Sequence, residues 1–580
     1  MREKLLAELS QSVLALLAEQ DPDAGPGDVP GFSLEVPRQK GHGDFATNAA
    51  MLLAKRLRRP PREIAQSLVA KLGDAGGLVE RAEVAGPGFV NLWLAGEQWQ
   101  DLLSGIVATG DGYGRSEAGG GRRVQVEFVS ANPTGPLSTG HGRQAVLGDC
   151  IARVLEFTGY QVTREYYFND GGRQMRVLGD SVKARYLEEL GRAAAPPAEL
   201  LGDAEAPWPE SVAGLPVVFP RDGYQGEYIR QIARDLVAAH GEALVEESAE
   251  GLFRESAEEG IFSEIRSTLE NLGIRFDVYY NEGSLYEEGK LTEVIADLRA
   301  KGLIYDADGA VWLRSTALGL DRDRVVLKSS GEPTYLLPDI AYHREKFRRG
   351  FEVIIDVLGA DHIEQFPFVR EAVAALGCDP KLVELVMHQF VTITSGGEKV
   401  KQSTRRATFV TIDELLGQVG VDVFRFFMVE RKADGHLDFD LDLAMDRNWR
   451  KNPAYYVQYA HARTCGVERK AGEVGVVMPS PQGFDASRLD LPEEIELMKK
   501  LGEFPELVTR AAESRAPHHL AYYLRELAGL WNPYIQDGTR HRILSEDAEL
   551  TSARLGLVLA VRTVLANGLA LLGVGAPERM

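Results

Sequence analysis

The sequence predicts a multidomain α/β protein, with an α+β module at the N-terminus, a doubly wound parallel sheet in the middle and an α-helical bundle at the C-terminus. Three observations carry this. At 580 residues the chain exceeds what one hydrophobic core normally organises. From Arg122 the pattern becomes strand, helix, strand within about 45 residues, the signature of a right-handed parallel unit. Beyond about Asp440 strand patterns stop and helical spacing continues to the end.

The first unit spans residues 1–115. It opens on an amphipathic helix over 1–20, with Glu3, Lys4 and Glu8 on the polar face. The run Gly41-His-Gly-Asp44-Phe45-Ala46-Thr47-Asn48 leads into a helix at Ala49–Arg59. Pro60-Pro61 stops that helix and starts the next, at Arg62–Leu72. Strands at Ala82–Val84 and Phe89–Leu94 flank a turn at Gly86-Pro87-Gly88. Lys55, Arg56, Arg58, Arg59 and Arg62 crowd together on a chain whose formal charge is −21. Net charge governs solubility and steering, not what one face binds. The cluster is therefore either a solvated helix end or an anion-binding face. Gly110-x-Gly112-x-Gly114 precedes a strand instead of following one, so it reads as a linker, not a phosphate loop.

The second unit spans 116–440. A strand at Val124–Phe128 is followed by a loop at Ser130–Thr139 and a helix over Gly140–Phe157 that buries Leu147, Ile151, Val154 and Leu155. Gly159 ends that helix, and Tyr160–Phe168 is a strand. Further strands fall at Phe276–Tyr280, Val311–Leu313, Arg324–Leu327, Glu352–Leu358 and Val386–Val391, with an Ala-Pro-rich, acidic insertion at 185–260. The third unit, 441–580, carries helices at Pro453–Glu468, Pro492–Ser514, His518–Tyr534 and Thr551–Leu572. The apolar run Leu555–Ala576 contains Arg562 and Asn567, which suits a packed helix and not a membrane span. Three widely separated cysteines without a Cys-x-x-Cys speak against a disulfide framework or structural zinc. With no N-terminal targeting signal, a cytoplasmic, non-membrane protein is expected.

The densest chemistry lies in Glu127-Phe-Val-Ser130-Ala-Asn132-Pro-Thr-Gly135-Pro-Leu-Ser138-Thr-Gly140-His141-Gly142-Arg143. It joins the first strand of the sheet to its helix, at the edge where doubly wound sheets bind ligands. Amide groups at Gly140–Gly142 and the helix dipole favour an anion such as a triphosphate, with His141 and Arg143 adding charge or hydrogen bonds. No Walker-type Gly-x-x-x-x-Gly-Lys occurs.

This segment resembles the His-x-Gly-His region of class I aminoacyl-tRNA synthetases, in the form used by arginyl-tRNA synthetases. Here the first histidine is Ser138, which offers a hydroxyl but no imidazolium. The resemblance extends over the chain, from Gly43-Asp-Phe-Ala-Thr-Asn48 through Tyr166–Gln174, Glu282–Tyr286 and Gly309–Thr316 to the closing Ala576-Pro-Glu-Arg-Met580. It implies a Rossmann-like catalytic domain that binds ATP through Gly140, His141, Gly142, Arg143, Gly359, Asp361, His362 and Lys401. The second signature falls at Lys399–Arg406, with Lys401, Ser403 and Arg405 joining Ser138 and His141 in catalysis and Thr404 replacing the usual second lysine. A loop clamping pyrophosphate needs positive charge more than one particular side chain. Arginine contacts are implied at Glu127, Ser130, Asn132, Tyr335 and Asp339; carboxylates suit a guanidinium. Contacts to tRNA are implied at Lys55, Arg56, Arg58 and Arg59 in the N-terminal module, and at Tyr455, Gln458, Tyr459 and His461 in the bundle.

The expected activity is ATP-dependent ligation of L-arginine to tRNA(Arg) through arginyl-adenylate. Mg²⁺ accompanies the nucleotide, no structural metal is needed, and a monomer is expected. Two rivals stand beside it. Ser138 and Thr404 motivate a paralogue that binds tRNA without charging it. A class I synthetase for another amino acid is disfavoured, because Glu127 and Asp339 make a poor pocket for an apolar side chain.

Overall fold

The computed structural model describes residues 2–35, 37, 41–197, 200, 207–400 and 410–580. Lys401, Ser403 and Arg405 lie outside the described residues, as does the side chain of Asp361. The N-terminal part runs α1 (Arg2–Ala18), β1 (Leu34–Glu35), β2 (Phe45–Thr47), α2 (Ala49–Leu57), α3 (Pro61–Leu72), β3 (Val79–Ala85), β4 (Phe89–Leu94) and α4 (Gly96–Thr109). Its four strands pair antiparallel in the order β1-β2-β4-β3. Arg58 adopts the left-handed conformation that ends α2, and Pro61, whose missing N–H costs nothing at a helix start, opens α3.

The middle of the chain begins β5 (Arg123–Glu127), α5 (Thr139–Phe157), β6 (Gln161–Phe168), α6 (Gly172–Glu189), β7 (Ser211–Val212), β8 (Leu215–Pro216), α7 (Glu227–His240), α8 (Arg254–Asn271) and β9 (Val278–Asn281). It continues with α9 (Gly283–Glu287), α10 (Lys290–Ala300), β10 (Ile304–Ala307), β11 (Ala310–Leu313), β12 (Arg324–Leu327), α11 (Leu336–Arg348), β13 (Val353–Gly359), α12 (Phe366–Ala375) and β14 (Val383–His388). Then come β15 (Val391–Ser395), β16 (Glu398–Lys399), α13 (Ile412–Val419), α14 (Val421–Val429), β17 (Leu437–Asp440) and α15 (Leu441–Met445).

Five strands form an all-parallel sheet in the order β14-β13-β5-β6-β9. The chain grows outward one way from β5 through β6 to β9, then returns to the other side of β5. The switch point therefore falls between β5 and β13, and a crevice opens beyond their carboxyl ends. Valines and isoleucines make the strands apolar, as burial on both faces requires: Val124, Val126, Ile354, Ile355 and Val357 are fully buried.

Two strand expectations are corrected. The segments at 311–313 and 324–327 do not join the parallel sheet. With β10 they form a separate antiparallel one, because the short connections between them are too tight for a parallel crossover. The single strand expected at Val386–Val391 is two: β14 completes the parallel sheet, and β15 starts a second small sheet with β16 and β17.

The C-terminal part is helical: α16 (Pro453–Glu473), α17 (Pro492–Gly502), α18 (Phe504–Glu513), α19 (His518–Gln536) and α20 (Ala548–Leu571). The helix expected over Pro492–Ser514 breaks in two near Gly502, with Pro505 in the first turn of the second piece. Helix α20 is long and apolar enough to cross a membrane by length and composition, but it packs in the bundle core, with Leu555, Leu557, Val561, Val564 and Leu565 buried.

Candidate active site

Helix α5 starts at the switch point. Ser138 caps it with extended backbone (φ −79, ψ 166). Gly142 N–H already closes the first helical bond, to Ser138 O at 3.1 Å, so the amides ahead of it carry the anion-binding character of the helix start. The Nδ1 of His141 accepts from Ser138 N–H at 3.2 Å and lies 3.2 Å from Ser138 Oγ. With Nδ1 used as acceptor, a neutral His141 carries its proton on Nε2, the geometry of a donor. Gly142 is required by packing: a Cβ there would meet the Phe424 ring at 2.6 Å.

The same helix start is stitched to a distant segment. Thr139 Oγ1 donates to Val410 O at 2.9 Å, Ile412 N–H donates to Leu137 O at 3.0 Å, and Ser138 pairs with Thr411. On the other side Val400 N–H donates to Ile393 O at 2.9 Å. The basic segment 401–409 is thus bracketed by two anchored points, one of them at the first turn of α5.

Arg143 does not face the nucleotide cleft as expected. It is fully buried, and its guanidinium donates to Gln389 O at 2.8 Å and Lys432 O at 3.0 Å. Pointing inward from the helix, it ties α5 to the ends of β14 and α14. Burial pulls its pKa down to about 10, which leaves it charged at neutral pH.

Across the crevice, Asp339 sits in the first turn of α11 and Tyr335 caps that helix, 69% exposed. Gln365 Nε2 donates to the Asp339 carboxylate. Water can reach Asp339 from the cleft, but protein surrounds it elsewhere. Burial, with Glu127 and Glu282 adding repulsion, pushes its pKa up to about 7. Glu282, beside it, was not singled out as a site residue by sequence reasoning. Its buried carboxylate accepts from Tyr167 Oη (2.7 Å), Asn169 Nδ2 (2.8 Å) and Tyr286 Oη (3.0 Å), and burial raises its pKa as well. Two carboxylates that repel one another in one cleft, each oriented by fixed donors, make a receptor for a planar cation.

Glu127, expected to contact arginine directly, is committed elsewhere. Lys346 Nζ lies 2.5 Å from its Oε2, and Ser130 Oγ donates to its Oε1 at 2.9 Å. Asn132 ties its loop to the end of β6 and the start of α6: its Nδ2 donates to Gln174 and its Oδ1 accepts from Asn169 N–H, both at 3.1 Å. Gly359 ends β13 at the crevice, and the exposed His362 follows in a single 3₁₀ turn. Among the described residues no group of three or more His, Cys, Asp and Glu side chains could hold a metal ion.

The expected tRNA contacts divide. Tyr455 and Tyr459 are partly exposed on α16, and Tyr459 stacks on Trp449 at 4.0 Å between ring centroids. Gln458 and His461 are buried and hold the C-terminal tail: Gln458 Nε2 donates to Asp422 and Gly575 O, and His461 bonds Pro577 O at 3.0 Å. On the same helix, Arg463, Arg469 and Lys470 line a cavity of about 530 Å³ with Tyr459, Arg579 and Met580. In the N-terminal cluster Lys55 and Arg58 are exposed. Arg56 is paired with Asp28 (2.9 Å), Arg59 Nη2 donates to Ser67 Oγ (3.0 Å) and Arg62 donates to Gly86 O (3.1 Å).

Three family models match in chain order: arginyl tRNA synthetase N terminal domain over residues 3–94, tRNA synthetases class I (R), catalytic domain over 103–435, and DALR anticodon binding domain over 457–580. The chain is similar to an arginine–tRNA ligase of Desulfotalea psychrophila (50% identity, 95% of both chains). It is also similar to one of Salinibacter ruber (47% identity, 96% of this chain and 97% of the other). Among solved structures it resembles Thermus thermophilus arginyl-tRNA synthetase, with a TM-score of 0.71, 25% identity and 99% of each chain covered.

Proposed function

The chain belongs to the arginyl-tRNA synthetases, ATP-dependent class I enzymes that charge tRNA with arginine, and on that premise we propose how its residues divide the work. The guanidinium of arginine is taken by Asp339 and Glu282, with Tyr335 closing over it from the exposed cap of α11. The observation that carries this is a pair of buried carboxylates held by fixed donors: burial suppresses the ionisation of both, and Glu282 adds its repulsion to Asp339 until a cation arrives. Gln365 and the Tyr167, Asn169 and Tyr286 donors fix the orientation of the two acceptors.

ATP binds with its phosphates at the first turn of α5, its base toward Gly359 and the 360–362 turn. The arginine carboxylate attacks the α-phosphate and pyrophosphate leaves. The ribose 2′-hydroxyl of the terminal tRNA adenosine then attacks the adenylate carbonyl and AMP leaves. No covalent enzyme intermediate forms, so positioning and charge stabilisation carry the catalysis. His141 donates through Nε2 to the phosphates. Ser138 holds the His141 ring instead of adding a second imidazole. Lys401, Ser403 and Arg405 close on the departing pyrophosphate from the segment anchored beside Thr139. Mg²⁺ travels with the triphosphate, whose oxygens suit its preference for phosphate and water ligands.

The helical C-terminal part, 441–580, reads the anticodon loop through Tyr455, Tyr459 and the basic cavity around Arg463, not through Gln458 or His461. The N-terminal module, 1–115, meets the tRNA elsewhere through Lys55 and Arg58. The enzyme acts as a cytoplasmic monomer. The test is arginine-dependent ATP–pyrophosphate exchange in the presence of tRNA(Arg). Asp339→Asn and Glu282→Gln are each expected to cost at least about 100-fold in kcat/KM for arginine, as loss of a charged acceptor does. Exchange that survives both substitutions would remove the guanidinium assignment. Tight tRNA binding without exchange in the native protein would favour a non-charging tRNA binder.

A further inference from the structure

A buried chain of charges runs beneath the arginine cleft. Lys346, on the third turn of α11, has no exposed surface, and its Nζ lies 2.5 Å from Glu127 Oε2 and 2.6 Å from Asp356 Oδ1. Glu127 and Asp356 are register partners on the adjacent strands β5 and β13. Asp356 Oδ2 pairs with His343 Nε2 at 2.8 Å, and His343 Nδ1 bonds Asp339 O at 2.7 Å. A purely structural helix–sheet contact would be better served by apolar side chains, because burying ions is costly even when they are paired. The far end of this chain shows what it holds. Glu127 Oε1 accepts from Ser130 Oγ at 2.9 Å, and Ser130 Oγ accepts from Tyr167 N–H at 3.2 Å. Ser130 closes a γ-turn, its N–H donating to Phe128 O at 3.0 Å around Val129. Val129 and Ser130 lie at φ 70 and φ 43, a region that a β-branched residue rarely adopts and that persists only where its surroundings enforce it.

The chemistry places the substrate's head at this turn. The carboxylate of arginine must reach a phosphate at the start of α5 while its guanidinium lies at Asp339 and Glu282. Its ammonium and carboxylate therefore fall beside Phe128–Asn132. We propose that Lys346 is a positioning residue: through Glu127 it pins Ser130 and holds the strained turn whose backbone receives the head of the amino acid. This rests on the arginine-activating reading above. Lys346 touches no substrate. It sets the distance between the two ends of the arginine cleft, because α11 carries both Lys346 and Asp339.

The test compares two ligands of the full-length enzyme in arginine-dependent pyrophosphate exchange with tRNA(Arg) present. One is arginine, through its KM. The other is n-butylguanidine, which has the guanidinium but no head, through its inhibition constant. Lys346→Met and Ser130→Ala are each expected to raise the arginine KM by about 10- to 100-fold, the effect of a displacement of roughly 1 Å. The butylguanidine constant and the ATP KM should stay within about threefold, less than the tenfold that 1.4 kcal/mol would give. Should Lys346→Met fail to fold, Ser130→Ala breaks the same link without stranding a buried charge, and its KM decides. Equal weakening of both ligands, or an unchanged arginine KM, overturns the inference while leaving the arginine reading intact. Absence of arginine-dependent exchange in the native enzyme would overturn both.

Discussion

At the scale of single residues, the proposed guanidinium receptor rests on a suppressed ionisation. Asp339 titrates near pH 7, raised chiefly by burial and then by Glu127 and Glu282. Below that pH it is largely protonated and offers a guanidinium only half a receptor. The arginine KM should therefore fall by about tenfold per unit as pH rises from roughly 5.5 to 7, and level off above. Asp339→Asn should abolish that slope along with most of the affinity; a slope retained in the variant would count against Asp339 as its source. The stability sign is opposite. The native state holds a proton that the unfolded chain gives up near pH 4, so Asp339 costs stability progressively as pH rises from about 4 to 7. Asp339→Asn should raise the thermal midpoint more at pH 8 than at pH 5, measured on the free enzyme. Charge, spacing and a family motif mark Asp339, Tyr335 and Ser130 in the sequence, and the structure puts the first two at the start of α11 and the third in the turn after β5. Direction was not legible. Arg143, Gln458 and His461 have the right chemistry but point inward, where they bond carbonyls that no local pattern reveals. Glu282 and Lys346 escaped for a related reason: their partners lie far away in sequence, on other elements.

At the scale of elements, most helices and strands follow from periodicity and punctuation. The exceptions are those where topology, not local preference, decides. The residues of β11 and β12 look like those of the parallel sheet, and only their short connections divert them into a hairpin layer. Helix α5 joins local signal to tertiary demand. Its first turn needs glycine because Phe424 presses on Gly142 from α14, and under the proposed function the same position lets phosphate approach the helix start. Gly142→Ala should push the helix start away from Phe424 and from the Val410–Ile412 strap. We expect kcat to fall by about 100-fold, with a smaller change in tRNA affinity, since a shift of roughly 1 Å at the reacting centre is costly. A variant with native kcat would show that the contact is slack. Thr139→Val, which removes the bond to Val410 O while keeping the shape, should lower kcat without changing the arginine KM.

At the scale of the whole molecule, the bundle and the sheet domain are joined by a buried ionic hub. Arg425 is fully buried and donates to Leu572 O (3.0 Å) at the end of α20, to Leu272 O (2.8 Å) after α8, and to Asp149 Oδ2 (2.5 Å) within α5. Removing it would strand Asp149, though Arg153 at 2.7 Å partly compensates. Arg425→Met should therefore sit at the lower end of the roughly 3–5 kcal/mol typical of a broken buried pair, read by urea unfolding. Binding of tRNA by a chain of charge −21 depends on where its cations remain unspent. Arg56, Arg59 and Arg62 already hold partners within the N-terminal module, so their contribution to phosphate binding is discounted by the cost of breaking those contacts. Lys55 and Arg58 are exposed at the end of α2. Removing a single cation–phosphate pairing should flatten the dependence of log binding constant on log salt by about 0.7–0.9. Lys55→Ala with Arg58→Ala should then reduce the slope by roughly 1.4–1.8, whereas Arg56→Ala alone should change it by less than one such step. Filter binding across a salt series distinguishes the two. If Arg56→Ala flattened the slope as much as the double variant, the exposed pair would not be the contact, and the Asp28 pairing would have to open when tRNA binds.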